Sequence, residues 1–553
     1  ALILVVTIRG LTSDVPPRSD GGFARHQFSV ITIFSLLFLA RNMPLAIVFA
    51  SLFGVLTVVT KAISNWQRRA VQFAVLLIPL IIGCRIVIKS LSPNNPMLFP
   101  LYSGTDDFIF SEQMSNSLVS WGINENTAAI GRPIRYHWLS LGWTGQTSWI
   151  SGVNSWVMTL HGMPIIGSIV VACLLLSISR KLLGDNVFAI LAPLAFLVVA
   201  SPFTTLDFLP VLNTTNFFPY IWVFALLLLF LECLESTSRA RWLLVFLLST
   251  FLFLGKAPYA TVVGIGIGVS WIFCAIFRDP AWRKVTAFAI VSAAAMLTTY
   301  LIFVRGETYG SAFSFSLQSL RNLFPFPLES GNPSIIGLML SLLALIALVS
   351  THLLSSLYVI RNTTTSRPFA FFMLGASLAG LMSFLLNGTG STTYFISSSL
   401  AISSLSVPIA LKWFVSSETK TLQHIGIAGS VLGVLSAILN RIIRHQGLLD
   451  SGKLTTNLGL IVQFIVAAAV AVLILRVRSQ KNRSPQYGIL GVLVVSTLIA
   501  AFNFSQFETG LRQLAGKATV SEFNAPSSDI EAALCLRKNS AKTEVFTSNR
   551  YLC

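Results

Sequence analysis

Residues 217–277 read FFPYIWVFALLLLFLECLESTSRARWLLVFLLSTFLFLGKAPYATVVGIGIGVSWIFCAIF. The stretch contains three apolar runs, at 217–234, 241–256 and 258–277, which are separated by very short connections. Each run is close to the roughly 20 apolar residues that a helix needs to cross the hydrocarbon core of a bilayer. The stretch therefore predicts three successive membrane-spanning helices.

The same pattern continues along the chain of 553 residues, of which 54% are hydrophobic and 10% are charged, with a mean hydropathy of +0.76. So few polar residues cannot cover the surface of a water-soluble protein of this length. We predict an all-α polytopic membrane protein with about 15–16 transmembrane helices. The expected spans lie at 28–40, 43–60, 70–88, 156–178, 187–206, 217–234, 241–256, 258–277, 285–304, 334–360, 369–387, 393–411, 422–439, 457–475 and 487–503, with a further apolar run at 1–8.

The basic residues indicate how the chain is oriented. The net charge is +18, from 38 basic and 20 acidic residues. Alternate connections between the expected spans carry 21 basic residues, and the opposite connections carry fewer than half as many. Because cytoplasmic loops concentrate Lys and Arg, we expect the first set to be cytoplasmic in the plasma membrane of a prokaryote. No basic stripe is interleaved with aromatic residues, so nucleic acid is not an expected partner.

This orientation divides the chain into two regions. Residues 1–503 form the multi-span domain, and its long loops at 89–155 and 305–333 are expected on the extracytoplasmic side. Residues 504–553 turn polar, and SSDIEAALCLRKNSAKTEVFTSNRYL at 527–552 indicates a helix, a turn and a strand. We expect this tail to be the start of a soluble extracytoplasmic α/β domain. The chain itself is expected to be truncated at both ends.

The loop 89–155 begins with a pair of acidic residues, Asp106 and Asp107. They open an amphipathic helix that is expected to lie at the membrane surface. Its apolar positions are Phe108, Phe110, Met114, Leu118 and Trp121. Two carboxylates can hold a divalent cation, or one of them can act as a general base. The alternative is purely structural, since an Asp at a helix start also stabilises the helix as a cap.

The second half of the same loop concentrates polar and basic residues, namely Arg132, Arg135, Tyr136 and His137. Arginine recognises phosphate through its planar guanidinium group, and histidine can bind a metal or move a proton near neutral pH. The alternative is an interfacial belt of amphipathic anchors, because tryptophans lie in the same loop.

Further charges lie at the outer ends of expected spans. Lys256 lies in FLGKAPYA between two spans, and Arg305 opens the second long loop together with Glu307. Ionisable groups at such a depth are costly and suggest a function. The alternatives are a lysine that extends to the lipid headgroups and a solvated ion pair at Arg305.

These features together resemble the membrane glycosyltransferases of the C superfamily, which include protein O-mannosyltransferase-like enzymes and lipid A aminoarabinose transferases. The resemblance rests on many spans, on GTDD at 104–107 in a long first external loop, on YHW at 136–138 and on GKAP at 255–258. One departure is that several spans precede the acidic loop here, whereas the simplest members have one.

The resemblance implies a sugar donor linked to polyprenyl phosphate and an extracytoplasmic glycan, lipid or protein acceptor. Asp106 or Asp107 would take the proton from the acceptor hydroxyl. The residues that would bind the substrate and its phosphate are Arg132, Arg135, Tyr136, His137, Lys256 and Arg305. A divalent cation, Mg²⁺ or Mn²⁺, would be an optional cofactor, with Asp106, Asp107 and His137 as its ligands.

Three other functions remain open at the level of sequence. A transporter or lipid flippase predicts internal repeats and charges at the bilayer midplane, whereas the sequence has no fixed repeat and its charges lie at the outer boundary. A polysaccharide polymerase or ligase would place its key loop late in the chain, where 440–456 carries Arg441, Arg444 and His445. A non-enzymatic scaffold would leave Asp106, Asp107 and Lys256 freely replaceable.

Overall fold

The computed structural model describes residues 99–100, 105–124, 134, 138–153, 155–184, 188–189, 192, 196, 218–305, 335–362, 367–385, 389–417 and 522–523. Twelve α-helices lie in these residues: α1 (Thr105–Trp121), α2 (Leu139–Ser151), α3 (Ser155–Val157), α4 (Met163–Leu183), α5 (Tyr220–Glu235), α6 (Arg239–Gly255), α7 (Ala257–Ile276), α8 (Trp282–Thr299), α9 (Ile335–Asn362), α10 (Arg367–Leu381), α11 (Thr389–Ser403) and α12 (Ser406–Ser417). Short 3-10 or π turns lie at Gly122–Asn124, Met158–Gly162, Tyr300–Val304 and Met382–Leu385.

Helices of membrane-spanning length and composition confirm the expected fold class. Three described segments, Ala257–Ile276, Trp282–Phe303 and Tyr394–Trp413, are long and apolar enough to cross a membrane, and the protein is an integral membrane protein. The apolar runs at 217–234, 241–256 and 258–277 correspond to α5, α6 and α7. The spans expected at 28–40, 43–60, 70–88, 422–439, 457–475 and 487–503 lie outside the described residues, as does most of 187–206.

Helix α5 lies at the centre of the described bundle. Every side chain from Tyr220 to Cys233 is buried. A helix that is apolar on all sides can be buried in this way because it has no polar face to keep in water. Its neighbours along the chain, α4 and α6, pack against it, and α7 and α8 complete the group.

Small residues allow α7 and α10 to pack closely. A Cβ on Gly375 of α10 would come 2.8 Å from the Cα of Gly266 in α7. Ser270 of α7 adds a polar contact, since its hydroxyl donates to the carbonyl of Pro368 at 2.7 Å. Helices in membranes associate through such small-residue contacts, because lipid supplies no hydrophobic drive for them to pair.

An ionic network ties one end of the bundle together. Lys181 lies 3.0 Å from Glu232 and 2.7 Å from Glu235, and Arg241 lies 3.3 Å from Glu232. The ammonium of Lys284 donates to two carbonyls at the end of α5, one of them Glu235. Burial lowers the pKa of Lys181, but its bonds with Glu235 and Glu232 outweigh that effect and hold the pKa above its usual value. Lys181, Arg241 and Lys284, which all belong to the connections expected on the cytoplasmic side, thus lie at the same end of the bundle.

Two short strands, β1 (Phe99–Pro100) and β2 (Glu522–Phe523), join the first long loop to the tail. They pair in antiparallel register, with Phe99 opposite Phe523 and Pro100 opposite Glu522. Residues 99–100 of the loop 89–155 and residues 522–523 of the tail are therefore neighbours. The further boundaries and the α/β content expected for 504–553 lie outside the described residues and stay predictions.

Candidate functional site

The candidate site is the break between α6 and α7. Lys256 has extended backbone angles, φ −166° and ψ 101°, and belongs to neither helix. Its N–H donates to the carbonyl of Leu252 at 2.9 Å, which completes the last turn of α6. Its carbonyl accepts from the N–H groups of Tyr259 and Ala260, which begins α7. Pro258 fits in that first turn because its missing N–H would have no partner within the helix.

The Lys256 side chain is buried at this break. Only 1% of the residue is exposed, and its Nζ lies 4.0 Å from the centroid of the Tyr394 ring. A lysine that extended to the headgroups would be exposed, so this position is not a surface anchor. A cation–π contact stabilises an ammonium, but it does not neutralise the charge. The break therefore presents a buried positive charge.

Tyrosines from three helices surround the same region. The rings of Tyr220 in α5 and Tyr259 in α7 lie 4.7 Å apart, and Tyr394 belongs to α11. The Tyr220 hydroxyl donates to the carbonyl of Ser397, one turn after Tyr394, at 3.5 Å. Sequence reasoning missed these residues, although KAPY places Tyr259 only three positions after Lys256.

Helix α2 reaches this break from the long loop. The Ser140 hydroxyl donates to the carbonyl of Gly255 at 3.3 Å. Gly255 must be small, because a Cβ there would come 2.6 Å from an atom of the Trp222 ring. Ser140 follows YHW by two residues, so the structure joins the YHW and GKAP segments across 115 positions of sequence.

The basic segment before α2 is anchored at both of its described positions. Ile134 is buried and its N–H donates to the carbonyl of Ile123 at 2.9 Å. Trp138 is 1% exposed and packs edge to face against Phe303 at 6.4 Å. Arg132, Arg135, Tyr136 and His137 themselves lie outside the described residues, so their roles stay predictions. Arg305 is exposed and follows Phe303 by two residues.

Asp106 and Asp107 lie in the first turn of α1, where the sequence placed a helix start. Their side chains lie outside the described residues, and their presence in one site with Lys256 stays a prediction. Helix α1 packs closely on α2, because a Cβ on Gly145 of α2 would collide with the carbonyl oxygen of Ser115. The helical rise places Asp107 about 12 Å along α1 from that crossing.

A second acidic residue of α1, Glu112, was missed by the sequence analysis. Its carboxylate accepts from the Ser155 hydroxyl at 2.5 Å and from the Asn116 amide at 2.9 Å. The bond from Ser155 attaches α1 to α3, which gives Glu112 a structural role.

The structure does not describe the side chains of the expected metal ligands. Within the described part of the chain, no group of three His, Cys, Asp or Glu side chains lies close enough to hold a metal ion. The proposed ligands Asp106, Asp107 and His137 are outside that part at the side-chain level. A divalent cation therefore stays a prediction.

No protein-family profile and no curated protein matches the chain. Among solved structures, the chain is similar to the oligosaccharyltransferase AglB of the archaeon Archaeoglobus fulgidus, solved with an inhibitory peptide and a dolichol-phosphate. The identity is 10% and the TM-score 0.41, over 88% of this chain and 61% of AglB. It is also similar to ArnT of Cupriavidus metallidurans in the apo state, with 14% identity and a TM-score of 0.39, over 79% of this chain and 76% of ArnT.

A second structure of the Archaeoglobus fulgidus oligosaccharyltransferase, in the apo form, gives 12% identity and a TM-score of 0.40. The chain spans 61% of the length of the archaeal enzyme. These proteins are membrane glycosyltransferases of the superfamily that the sequence resembles.

Proposed function

We propose that this chain is an integral membrane glycosyltransferase that moves a sugar from a polyprenyl-phosphate donor to an extracytoplasmic glycan, lipid or protein. The observation that carries the proposal is the buried ammonium of Lys256 at a helix break that contacts the segment after YHW. The donor class comes from the resemblance of the GTDD, YHW and GKAP motifs.

The buried charge supports a phosphate ligand. An ammonium buried away from water interacts strongly with an anion placed beside it, because little solvent screens the two charges. The donor phosphate is an anion that would enter from the membrane between spans. Arg132, Arg135 and Arg305 would add guanidinium groups to the phosphate site, and Tyr136 and His137 would bind the substrate with them.

In the proposed reaction, the acceptor oxygen forms a bond to the anomeric carbon of the sugar. The bond from that carbon to the phosphate oxygen breaks, and its electron pair leaves with the polyprenyl phosphate. Asp106 or Asp107 takes the proton from the acceptor hydroxyl. Lys256 stabilises the charge that develops on the departing phosphate.

The proposed metal ligands fit a hard cation in their chemistry. Asp106 and Asp107 offer carboxylate oxygens, which suit Mg²⁺ or Mn²⁺, and His137 offers an imidazole nitrogen. A bound cation would stabilise negative charge on the phosphate. The protein residues keep the roles given above with or without it.

The test is a transfer assay in proteoliposomes with a panel of synthetic polyprenyl-phosphate hexoses and pentoses. Asp106→Asn and Asp107→Asn keep the shape and the helix-capping ability of the side chain but cannot accept a proton. At least one of them should lower the transfer rate by about 100- to 10,000-fold, which is the usual cost of losing a general base.

Glu112→Gln is the matched control, because it changes an acid of the same helix that has a structural contact. It should leave the transfer rate near that of the parent. If both Asn variants transfer sugar at the parent rate, the acidic pair is a helix cap and the proposed active site is misplaced. Movement of the lipid-linked sugar across the vesicle membrane without transfer would favour a flippase instead.

A further inference from the structure

The turn that ends α7 contains a strained arginine. Arg278 has a φ of +50°, and it is the only non-glycine residue with a positive φ in the described part of the chain. The N–H of Asp279 donates to the carbonyl of Cys274, and the N–H of Arg278 donates to that of Ala275. This pair of bonds is the Schellman motif, in which the left-handed position usually holds glycine. A side chain there disfavours the folded state roughly five- to thirty-fold.

The charges of this turn leave two guanidinium groups at the surface. Arg278 and Arg283 are both exposed, and neither forms an ion pair within residues 218–305. The carboxylate of Asp279 accepts from the N–H of Ala281 at 2.9 Å in the turn before α8. The ammonium of Lys284 points to the carbonyls at the end of α5. The surface of this turn is therefore basic, because the carboxylate of Asp279 is engaged within the turn.

Aromatic and aliphatic side chains extend from these arginines along the outside of the bundle. Trp271 is 41% exposed, Trp282 is 39% exposed and Ile276 is 65% exposed. The Trp271 ring is held in place because its N–H donates to the Thr286 hydroxyl at 3.1 Å. Tryptophans above an apolar face and arginines at its end are typical of the boundary between bilayer and water.

We propose that Arg278 and Arg283, flanked by Trp271 and Trp282, bind the phosphate headgroup of an anionic phospholipid. The acyl chains would lie on the exposed apolar face of α7 and α8. The strain at Arg278 supports this assignment, because glycine would form the turn more easily but would remove a guanidinium that matches phosphate. Helix α7 separates this site from Lys256 by about 30 Å, so it does not depend on the proposed glycosyl transfer.

The test is native mass spectrometry of the full chain in neutral detergent, titrated with phosphatidylglycerol or phosphatidylcholine. Each basic residue near the membrane surface contributes about fivefold in affinity for anionic lipid. Arg278→Gly with Arg283→Gln should therefore weaken phosphatidylglycerol binding about 25-fold. Arg239→Gln is the matched control, since it removes an exposed arginine at the start of α6, and it should weaken phosphatidylglycerol binding by at most about fivefold, far less than the double variant.

Three outcomes would overturn the proposal: equal binding of the two lipids, an undiminished affinity of the double variant, or displacement of the lipid by millimolar inorganic phosphate alone. A second measurement separates lipid binding from a structural role of Arg278. In lipid-free detergent, Arg278→Gly should raise the thermal unfolding midpoint because it relieves the strain. Adding phosphatidylglycerol should raise the thermal unfolding midpoint of the parent more than that of Arg278→Gly. A variant that is less stable in lipid-free detergent would show that Arg278 serves the fold.

Discussion

Replacing Lys256 with methionine tests the proposed donor site directly. Methionine keeps most of the length and the apolar body of lysine, so it can still pack on the Tyr394 ring, 4.0 Å from the present ammonium. The substitution removes the positive charge and keeps most of the side-chain volume. Its effect on stability should therefore be smaller than its effect on donor binding.

The effect on stability follows from two opposing contributions. The variant loses a desolvated cation–π contact, which contributes about 2 kcal/mol. It also removes the desolvation of a charged group, since only 1% of the Lys256 residue is exposed. The two contributions oppose each other, so the thermal unfolding midpoint of Lys256→Met should change much less than the affinity for the donor.

The effect on the donor should be a large loss. A hydrogen bond between charged groups contributes about 1.5–3 kcal/mol, so the affinity for polyprenyl phosphate should fall about 10- to 150-fold. Because the phosphate gains charge as it leaves, kcat should fall as well as the affinity for the donor. The assay is binding of polyprenyl phosphate to the purified protein, followed by transfer kinetics in proteoliposomes.

Lys412→Met is the matched control for the loss of one lysine. Its ammonium donates to the carbonyl of Leu183 at 2.9 Å, near the end of α4, and it should leave donor affinity near the parent value. Lys256→Arg keeps the charge and should keep part of the affinity. A Lys256→Met protein with the affinity and kcat of the parent would refute the phosphate assignment and leave Lys256 with a packing role.

Three further predictions concern the packing, the ionic network and the topology. Gly255→Ala should destabilise the protein by about 1–3 kcal/mol in thermal unfolding, because its Cβ would come 2.6 Å from an indole carbon, whereas Gly268→Ala has open space around it and should be tolerated. Glu232→Gln should cost about 1.5–3 kcal/mol. The pKa of Lys181 is raised in the folded protein, so the stability that its charge contributes is fully present below its ordinary pKa of 10.5 and is lost as the pH rises through the raised value. Glu232→Gln should reduce that loss of stability, which thermal unfolding below and above pH 10.5 would measure. Cys535 should react with a membrane-impermeant thiol reagent in intact cells, and labelling only after permeabilisation would reverse the orientation.

The helices could be predicted from sequence because their cause is local. A chain segment in lipid must satisfy its backbone hydrogen bonds internally, so an apolar run of sufficient length forms a helix whatever its neighbours are. The runs at 217–234, 241–256 and 258–277 therefore became α5, α6 and α7 with small changes at their ends. The helix start at Asp106 and Asp107 was likewise visible from its charge and apolar spacing.

The role of Lys256 shows where such reasoning stops. The sequence allowed either a lysine that extends to the headgroups or a functional charge, and both fit the same position between two spans. Burial decides between them, and burial depends on the Tyr394 ring, which lies 138 positions later in the chain.

Sequence by itself determined that this is a polytopic membrane protein with helices at defined places, because hydrophobicity and charge act over one turn or one span. Only the tertiary structure decided which helices meet. It brought Ser140 to Gly255 and Tyr220 to Tyr259, and it placed Arg278 in a left-handed turn. The physical reason is that such contacts depend on the shape and packing of whole helices. Packing is shared among residues far apart in the chain, so no local pattern records it.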